Sequence, residues 1–256
     1  MPCAPQWIDV KALLSFVPLF KDMAPAGLER LADASREIRT NRGDTLFRKD
    51  EPCSGLYVVV YGRVKLFFLS AQGREKILDI LDQGHALSEE TLFLGNNYQV
   101  YAQTLSDCSL LLISKAAIVA ELESDSALAR RVINGLSQKL DQRNADIESC
   151  SLHSGRQRVI HYLLRETVRP KSPVMRASGE KGRTPDWGDS AARIESEKSP
   201  LVVKLVTRKS DIASRLSLTQ EHFSRILHEL SACGLIFLDN RLVYIADIEQ
   251  LRTAAG

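Results

Sequence analysis

The segment 207–245, TRKSDIASRLSLTQEHFSRILHELSACGLIFLDNRLVYI, constrains this chain more than any other. Over 209–216, Ile212, Ala213 and Leu216 fall at inward spacing and predict one short helix. Ser217-Leu218 reads as a tight turn. Thr219 is a good N-cap for a second helix, its hydroxyl placed to accept from a backbone N–H two or three residues on. That helix runs to about Ala232 and stops near Cys233-Gly234, where glycine can take the left-handed conformation. Two short helices joined by a tight turn form a helix-turn-helix unit. The runs 235–238 and 242–245 then predict a hairpin around Asp239-Asn240-Arg241, placed as a wing would be.

The second helix has two unlike faces. Phe223, Ile226, Leu227 and Leu230 make an apolar face that seats it on a core. Glu221, Ser224, Arg225 and His228 share the opposite face, near the end that such a helix inserts into a major groove. Arginine can donate two bonds to guanine O6 and N7, and a carboxylate can accept from the N4 amine of cytosine. Thr219 and Gln220 at the helix start, and Arg208 just ahead of the first helix, complete the candidate DNA contacts. The competing reading is an exposed Glu221–Arg225 ion pair, worth about 0.3–0.5 kcal/mol. In the second helix of a capped helix-turn-helix the first reading is better supported, and charge is consistent with it. Residues 153–256 hold 17 Lys and Arg against 12 Asp and Glu, whereas the remainder holds 17 against 20. The basic half is the one suited to a polyanion.

Upstream, 10–34 has helical spacing (Leu13, Leu14, Phe16, Val17, Leu28, Leu31) interrupted by Pro18 and Pro25. From about Ile38 to Ser114 the pattern changes to short β runs at Thr45–Phe47, Gly55–Tyr61, Val64–Leu69, 76–81, 100–104 and 109–113. Turn signals separate them, which predicts an antiparallel sandwich or roll. Leu56, Val58 and Val60, and Val64, Leu66 and Phe68, alternate, so each of these strands is expected to bury one face. A long helix follows over about Ser126–Leu152. Along it Ala129, Ile133, Leu136, Leu140, Arg143, Ile147 and Cys150 recur at steps of four and three, an apolar seam of coiled-coil type. Leu128 and Val132 form a second strip. One strip can meet the β domain and the other a twin helix, which predicts a homodimer in which Arg143 meets a carboxylate of the second chain. A helix over 155–168 comes next. The polar stretch 169–200, with four prolines and three glycines, reads as a disordered or surface excursion. The expected division is a sensor domain at 1–125, a dimerisation helix at 126–152 and a winged helix-turn-helix domain at 153–256.

Several functions are disfavoured. No apolar run approaches the roughly 20 residues that cross a bilayer, and MPCAPQWIDVK lacks a signal-peptide pattern. The expected setting is a reducing cytoplasm, with no membrane partner. Cys3, Cys53, Cys108, Cys150 and Cys233 have no Cys-x-x-Cys pairing, so neither zinc nor an iron–sulfur cluster is expected. There is no G-x-S-x-G, metal-ligand cluster or phosphate loop. Glu89 and Glu90, read as strand residues, would point to opposite faces, a poor acid–base pair. No enzyme is expected. The alternative to a DNA-binding regulator is a small-ligand protein that uses the β domain alone.

Taken whole, the chain resembles the Crp/Fnr superfamily, an α+β arrangement of jelly-roll-like, cyclic-nucleotide-binding-like β-roll, dimer helix and winged helix. The run E-H-F-S-R at 221–225 fits the E-x-x-S-R signature of the Fnr-like branches. The resemblance implies that Glu221, Ser224 and Arg225 read a TTGAT half-site repeated as its inverse in a palindrome. It covers all but the 169–200 stretch, which exceeds the family's usual connection. Ser217 departs from the glycine that many members carry in the turn. Palindromic double-stranded DNA, RNA polymerase and a second copy of the chain are the implied partners.

The same resemblance implies a sensor whose signal differs among branches. Cyclic-nucleotide binders carry G-E-L and then R-S, with the arginine on the cyclic phosphate. Here Ser88-Glu89-Glu90 is followed by Tyr98-Gln99-Val100-Tyr101, with no cation to meet a phosphate, which argues against cyclic AMP. Cys3 alone cannot supply the cysteine run of the oxygen-sensing type. Met1-Pro2 resembles the carbon-monoxide-sensing type, but no Cys-x-His follows near 70–85. The stretches G-R-E-K-I-L-D at 73–79, Q-R-V-I-H-Y-L-L at 157–164 and E-H-F-S-R-I-L-H at 221–228 are similar to the Dnr branch. That implies a nitric oxide or redox signal and haem as the cofactor to test. Glu89, Tyr98 and His85 are the effector-pocket candidates, and His85, the only histidine of the β-roll, is the candidate axial ligand. Its other reading is a surface histidine in the turn after Gly84.

Overall fold

A computed structural model describes residues 9–87, 89–167, 201–205 and 207–255. The expectations placed on Met1-Pro2, Cys3, Ser88, Val168, Val206 and the 169–200 stretch lie outside the described residues. The chain forms two compact units, Met1–Asp146 and Ile147–Gly256. Among the described residues no helix is long and apolar enough to cross a membrane.

The first unit opens with α1 (Val10–Phe16), capped by Asp9, whose carboxylate accepts from Ala12 N at 3.0 Å. A short 3-10 turn (Pro18–Phe20) and α2 (Pro25–Asp33) follow. Both prolines stand at the first position of their element, where the missing N–H costs nothing. They begin elements here as well as interrupting a pattern.

Eight strands then build two antiparallel sheets. One contains β1 (Ser35–Thr40), β8 (Cys108–Ser114), β3 (Gly55–Tyr61) and β6 (Ala86–Leu87), in that spatial order. The other runs β2 (Thr45–Phe47), β7 (Tyr101–Thr104), β4 (Val64–Leu69) and β5 (Glu75–Leu81). Phe47, Tyr57, Val59, Val64, Leu66, Leu81, Tyr98 and Leu110 fill one core. A second core joins Leu56, Val58, Leu111 and Ile113 to helical residues Leu14, Phe20, Leu31, Ile118, Leu128 and Val132.

This double core corrects the expectation of a single buried face for β3. Residues Gly55 to Val59 are all buried, because side chains of opposite parity serve different cores. Central strands covered on both faces lose their alternation. In β4 the expected inward Phe68 is exposed, and Phe67 is buried instead. Phe67 stacks on Tyr101 with centroids 5.4 Å apart, beneath the Lys65 ammonium.

Two helices escaped the sequence pattern. Glu89 and Glu90 lie not in a strand but in the first turn of α3 (Glu89–Leu94), where their charge suits the helix dipole. The apolar, unperiodic run KAAIVAELES forms α4 (Lys115–Ser124), capped by Ser114. Its Glu121 is buried and takes both Nε and Nη2 of Arg30, at 2.5 and 3.0 Å, tying α4 to α2.

The long helix α5 (Ser126–Leu152) has the expected bounds. Leu128 and Val132 are buried, and Leu136 packs partly against the same core, so Leu136 belongs to the inward strip. Ile133, Leu140 and Ile147, seven residues apart, are 60%, 62% and 64% exposed. Arg143 was expected to meet a second chain. It is engaged by its own: Nη1 donates to Leu78 O at 3.0 Å and Nη2 lies 3.7 Å from Asp79. Three methylenes and a guanidinium give arginine the reach to leave its stripe for the nearest acceptors.

The second unit contains α6 (Gly155–Arg165), β9 (Leu201–Lys204), α7 (Lys209–Arg215), α8 (Gln220–Ala232), β10 (Ile236–Asp239), β11 (Leu242–Ile245) and α9 (Ile248–Thr253). α6 ends earlier than expected, and α9, capped by Asp247, was not anticipated. β9 pairs with β11, so the wing is a three-stranded antiparallel sheet ordered β10-β11-β9. Val159, Ile160, Leu163, Val203, Ile212, Phe223, Leu227, Leu230, Val243 and Leu251 make its core.

Candidate nucleic-acid interface

The helix-turn-helix is fixed by its caps. α7 ends on Leu216, and Ser217 follows with φ +57°, the left-handed region. Ser217 N donates to Ser214 O at 3.1 Å and Leu218 N to Ala213 O at 2.9 Å, a Schellman closure. A serine at this position carries roughly 1–2 kcal/mol of backbone cost that glycine would not. Its hydroxyl lies 3.3 Å from Cys150 Sγ at the end of α5. Thr219 then caps α8, Oγ1 accepting from His222 N at 3.2 Å. α8 closes with a second Schellman pattern at Gly234, φ +71°, with Leu235 N on Leu230 O at 3.1 Å.

The seating of α8 agrees with its apolar face. Phe223, Ile226, Leu227 and Leu230 are each no more than 2% exposed. Burying four such side chains contributes about 1.5–3 kcal/mol apiece. The first residue of α6 sets how closely the turn can approach. A Cβ at Gly155 would stand 3.1 Å from Leu218 Cδ2 and 3.2 Å from His222 Cε1, so a larger residue would make both side chains give by a few tenths of an ångström.

On the other face Gln220, Glu221, Arg225 and His228 are exposed, with Ser224 half-buried between them. The ion pair on this face is not the one spacing suggested. Arg225 Nε lies 3.7 Å from Glu229 Oε1, one turn after it, rather than from Glu221. Beside the start of α8 is a groove lined by Thr207, Arg208, Lys209, Gln220, Asn240 and Arg241, with Leu205 at its base. Among the described residues three cations line it and no carboxylate does, so it suits an anion. Thr207 is 8% exposed, and its Oγ1 has no hydrogen-bond partner among the described residues. Arg208 was anticipated here. Lys209, Asn240 and Arg241 were not; for Asn240 and Arg241 the signal was the turn chemistry of Asp239-Asn240-Arg241, where Asn240 takes φ +51°.

The sensor candidates are each held by a different neighbour. Glu89, 14% exposed, is paired with Lys139 of α5. Tyr98 is buried and stacked on Phe47 at 3.8 Å, and burial raises its hydroxyl above the ordinary tyrosine range. His85 is 59% exposed in its turn, with Nδ1 2.9 Å from Asp82 Oδ1. A haem ligand belongs in a pocket that controls access and polarity. An exposed histidine beside an aspartate does not fit that group.

Comparison with known proteins finds two family models that match separate stretches of the chain. Residues 37–125 match the model of the cyclic nucleotide-binding domain, and residues 157–254 match that of the Crp-like helix-turn-helix domain. The nitrogen fixation regulation protein FixK of Azorhizobium caulinodans is 27% identical over 212 residues, 82% of this chain and 75% of that one. DNR from Pseudomonas aeruginosa is 30% identical, covering 95% of this chain and 96% of that one, with a TM-score of 0.46. The structure of FixK2 from Bradyrhizobium japonicum, 20% identical, covers 86% of this chain and 96% of that one with a TM-score of 0.66, a likeness of fold.

Proposed function

The chain belongs to the Crp/Fnr superfamily of transcription regulators, and on that premise we propose that it is a homodimer reading a palindrome of TTGAT-type half-sites through Glu221, Ser224 and Arg225. The carrying observation is α8 itself. Four buried residues seat it while Glu221 and Arg225 stand exposed on the opposite face, with the cationic groove at its N-terminal end. A reading face flanked by a phosphate seat is how base contacts and positioning contacts divide the work. In this reading Arg225 donates to guanine, Glu221 accepts from cytosine, and Arg208, Lys209 and Arg241 neutralise phosphates with Thr219 and Gln220 beside them.

The dimer is proposed to form through Ile133, Leu140 and Ile147, the outward stripe of α5. The same proposal divides the chain at 1–125, 126–152 and 153–256, with RNA polymerase as a partner and no enzymatic activity, as the family resemblance implies. For the sensor, the pairing of Glu89 with Lys139 supports the argument against cyclic AMP, because the acidic position already holds a cation. A nitric oxide or redox signal remains the reading that the Dnr-like stretches support, without His85 as a haem ligand.

Gel-shift titrations test the function. Arg225→Ala should weaken binding to a TTGAT palindrome by about 1–3 kcal/mol per half-site, and binding to random DNA far less. Equal loss on both would reduce Arg225 to a phosphate contact. No shift on either DNA, with the native chain, would sink the regulator reading.

A further inference from the structure

Arg225 has a carboxylate one turn before it, Glu221, and another one turn after it, Glu229. In an isolated helix, acid-before-base at four-residue spacing is the more favourable order. Local preference therefore pairs Arg225 with Glu221, and such a pair would neutralise both residues assigned to base edges. The structure pairs Arg225 with Glu229 instead, at 3.7 Å, with side chains 68% and 50% exposed. Among the described residues Glu221 makes no ion pair within the 4.0 Å reach of one. The contact runs through Nε, which an end-on approach of the two terminal guanidinium nitrogens to guanine O6 and N7 does not use.

We propose that Glu229 is a positioning residue for base recognition: it holds Arg225 through Nε and draws the side chain away from Glu221, so that the Glu221 carboxylate and the terminal nitrogens of Arg225 stay available to the bases. The proposal rests on the assignment of Arg225 and Glu221 to base edges. Glu229 itself lies one turn further along α8 and acts through Arg225. An exposed pair at this spacing shifts side-chain populations by about a factor of two. The effect is therefore modest in one half-site and is multiplied over a two-fold palindrome.

Competition gel shifts would compare the parent palindrome with one whose half-site guanine is changed to adenine in both arms. In Glu229→Gln, preference for the parent should fall about twofold per half-site and about fourfold over the dimer. Removing the charge also raises affinity for any DNA, but equally for both probes, so the ratio isolates positioning. An unchanged ratio in Glu229→Gln overturns the proposal. In an Arg225→Ala background, Glu229→Gln should leave the ratio where Arg225→Ala alone puts it. A further shift there also overturns it, since Glu229 would be acting without its partner. If Arg225→Ala alone keeps the guanine preference, the underlying base assignment fails, and the single variant shows that failure by itself.

Discussion

Lys139, midway along α5, donates its ammonium to the carboxylate of Glu89 in the first turn of α3. One turn on, Arg143 donates to Leu78 O in β5, so two cations four residues apart tie the long helix to its own β-roll. Glu89 is the more buried partner, at 14% exposure against 39% for Lys139. Lys139→Met would leave a largely desolvated carboxylate without its cation, at a cost of about 1–3 kcal/mol. The double variant Glu89→Gln/Lys139→Met should recover part of that loss. Thermal unfolding followed over the four proteins of the cycle measures it; strictly additive losses would mean the two side chains are not coupled.

The outward stripe of α5 gives a second expectation. Ile133, Leu140 and Ile147 keep a seven-residue period while staying exposed within one chain, the pattern of a helix that meets a twin. Leu140→Asp places a charge at the centre of that seam and should weaken dimerisation at least about 100-fold. Sedimentation velocity at micromolar protein should then show monomer. Val132→Ala, on the inward strip, should lower the unfolding temperature and leave the dimer intact; loss of the dimer there instead would reassign the seam.

The cationic groove makes a prediction about salt. Each phosphate neutralised contributes about 0.9 to the slope of log affinity against log salt. Arg241→Ala removes one such cation per protomer, so the slope should shrink by about two for a dimer, with equal loss on palindromic and random DNA. A selective loss on the palindrome would mean that the wing tip reads bases.

The helix-turn-helix was legible because its signals are local: a cap, a left-handed stop, and an apolar face that repeats every third or fourth residue. Thr219, Gly234 and the Phe223–Ile226–Leu227–Leu230 face carry their information within the one stretch 219–234. What was not legible depends on distant partners. β3 hides its alternation because Leu56 and Tyr57 serve different cores, and those cores are assembled from helices outside the strand. Arg143 and Glu89 found partners 65 and 50 residues away, which no spacing rule reaches. The choice of Glu229 over Glu221 lies between the two extremes. Both options are local, and side-chain placement on the folded helix decides between them.

Acid should weaken the second unit through His161. Its imidazole lies edge-on to His153, with centroids 4.8 Å apart. Desolvation, and then the neighbouring His153, hold its pKa below the ordinary histidine value of 6.5. The unfolded chain therefore binds this proton more readily than the folded one does. Stability from this group is complete above the unfolded value. It falls as pH drops through about 6.5, and levels off below the folded pKa, where both states are protonated. The thermal midpoint should accordingly decline between pH 7.5 and pH 5.5, and His161→Gln should decline less, since glutamine takes up no proton in either state. Because the side chain is only partly withdrawn from water, the difference is a shallow slope rather than a collapse. Melting curves of the two proteins across that range decide it: parallel declines would place the acid sensitivity in another group.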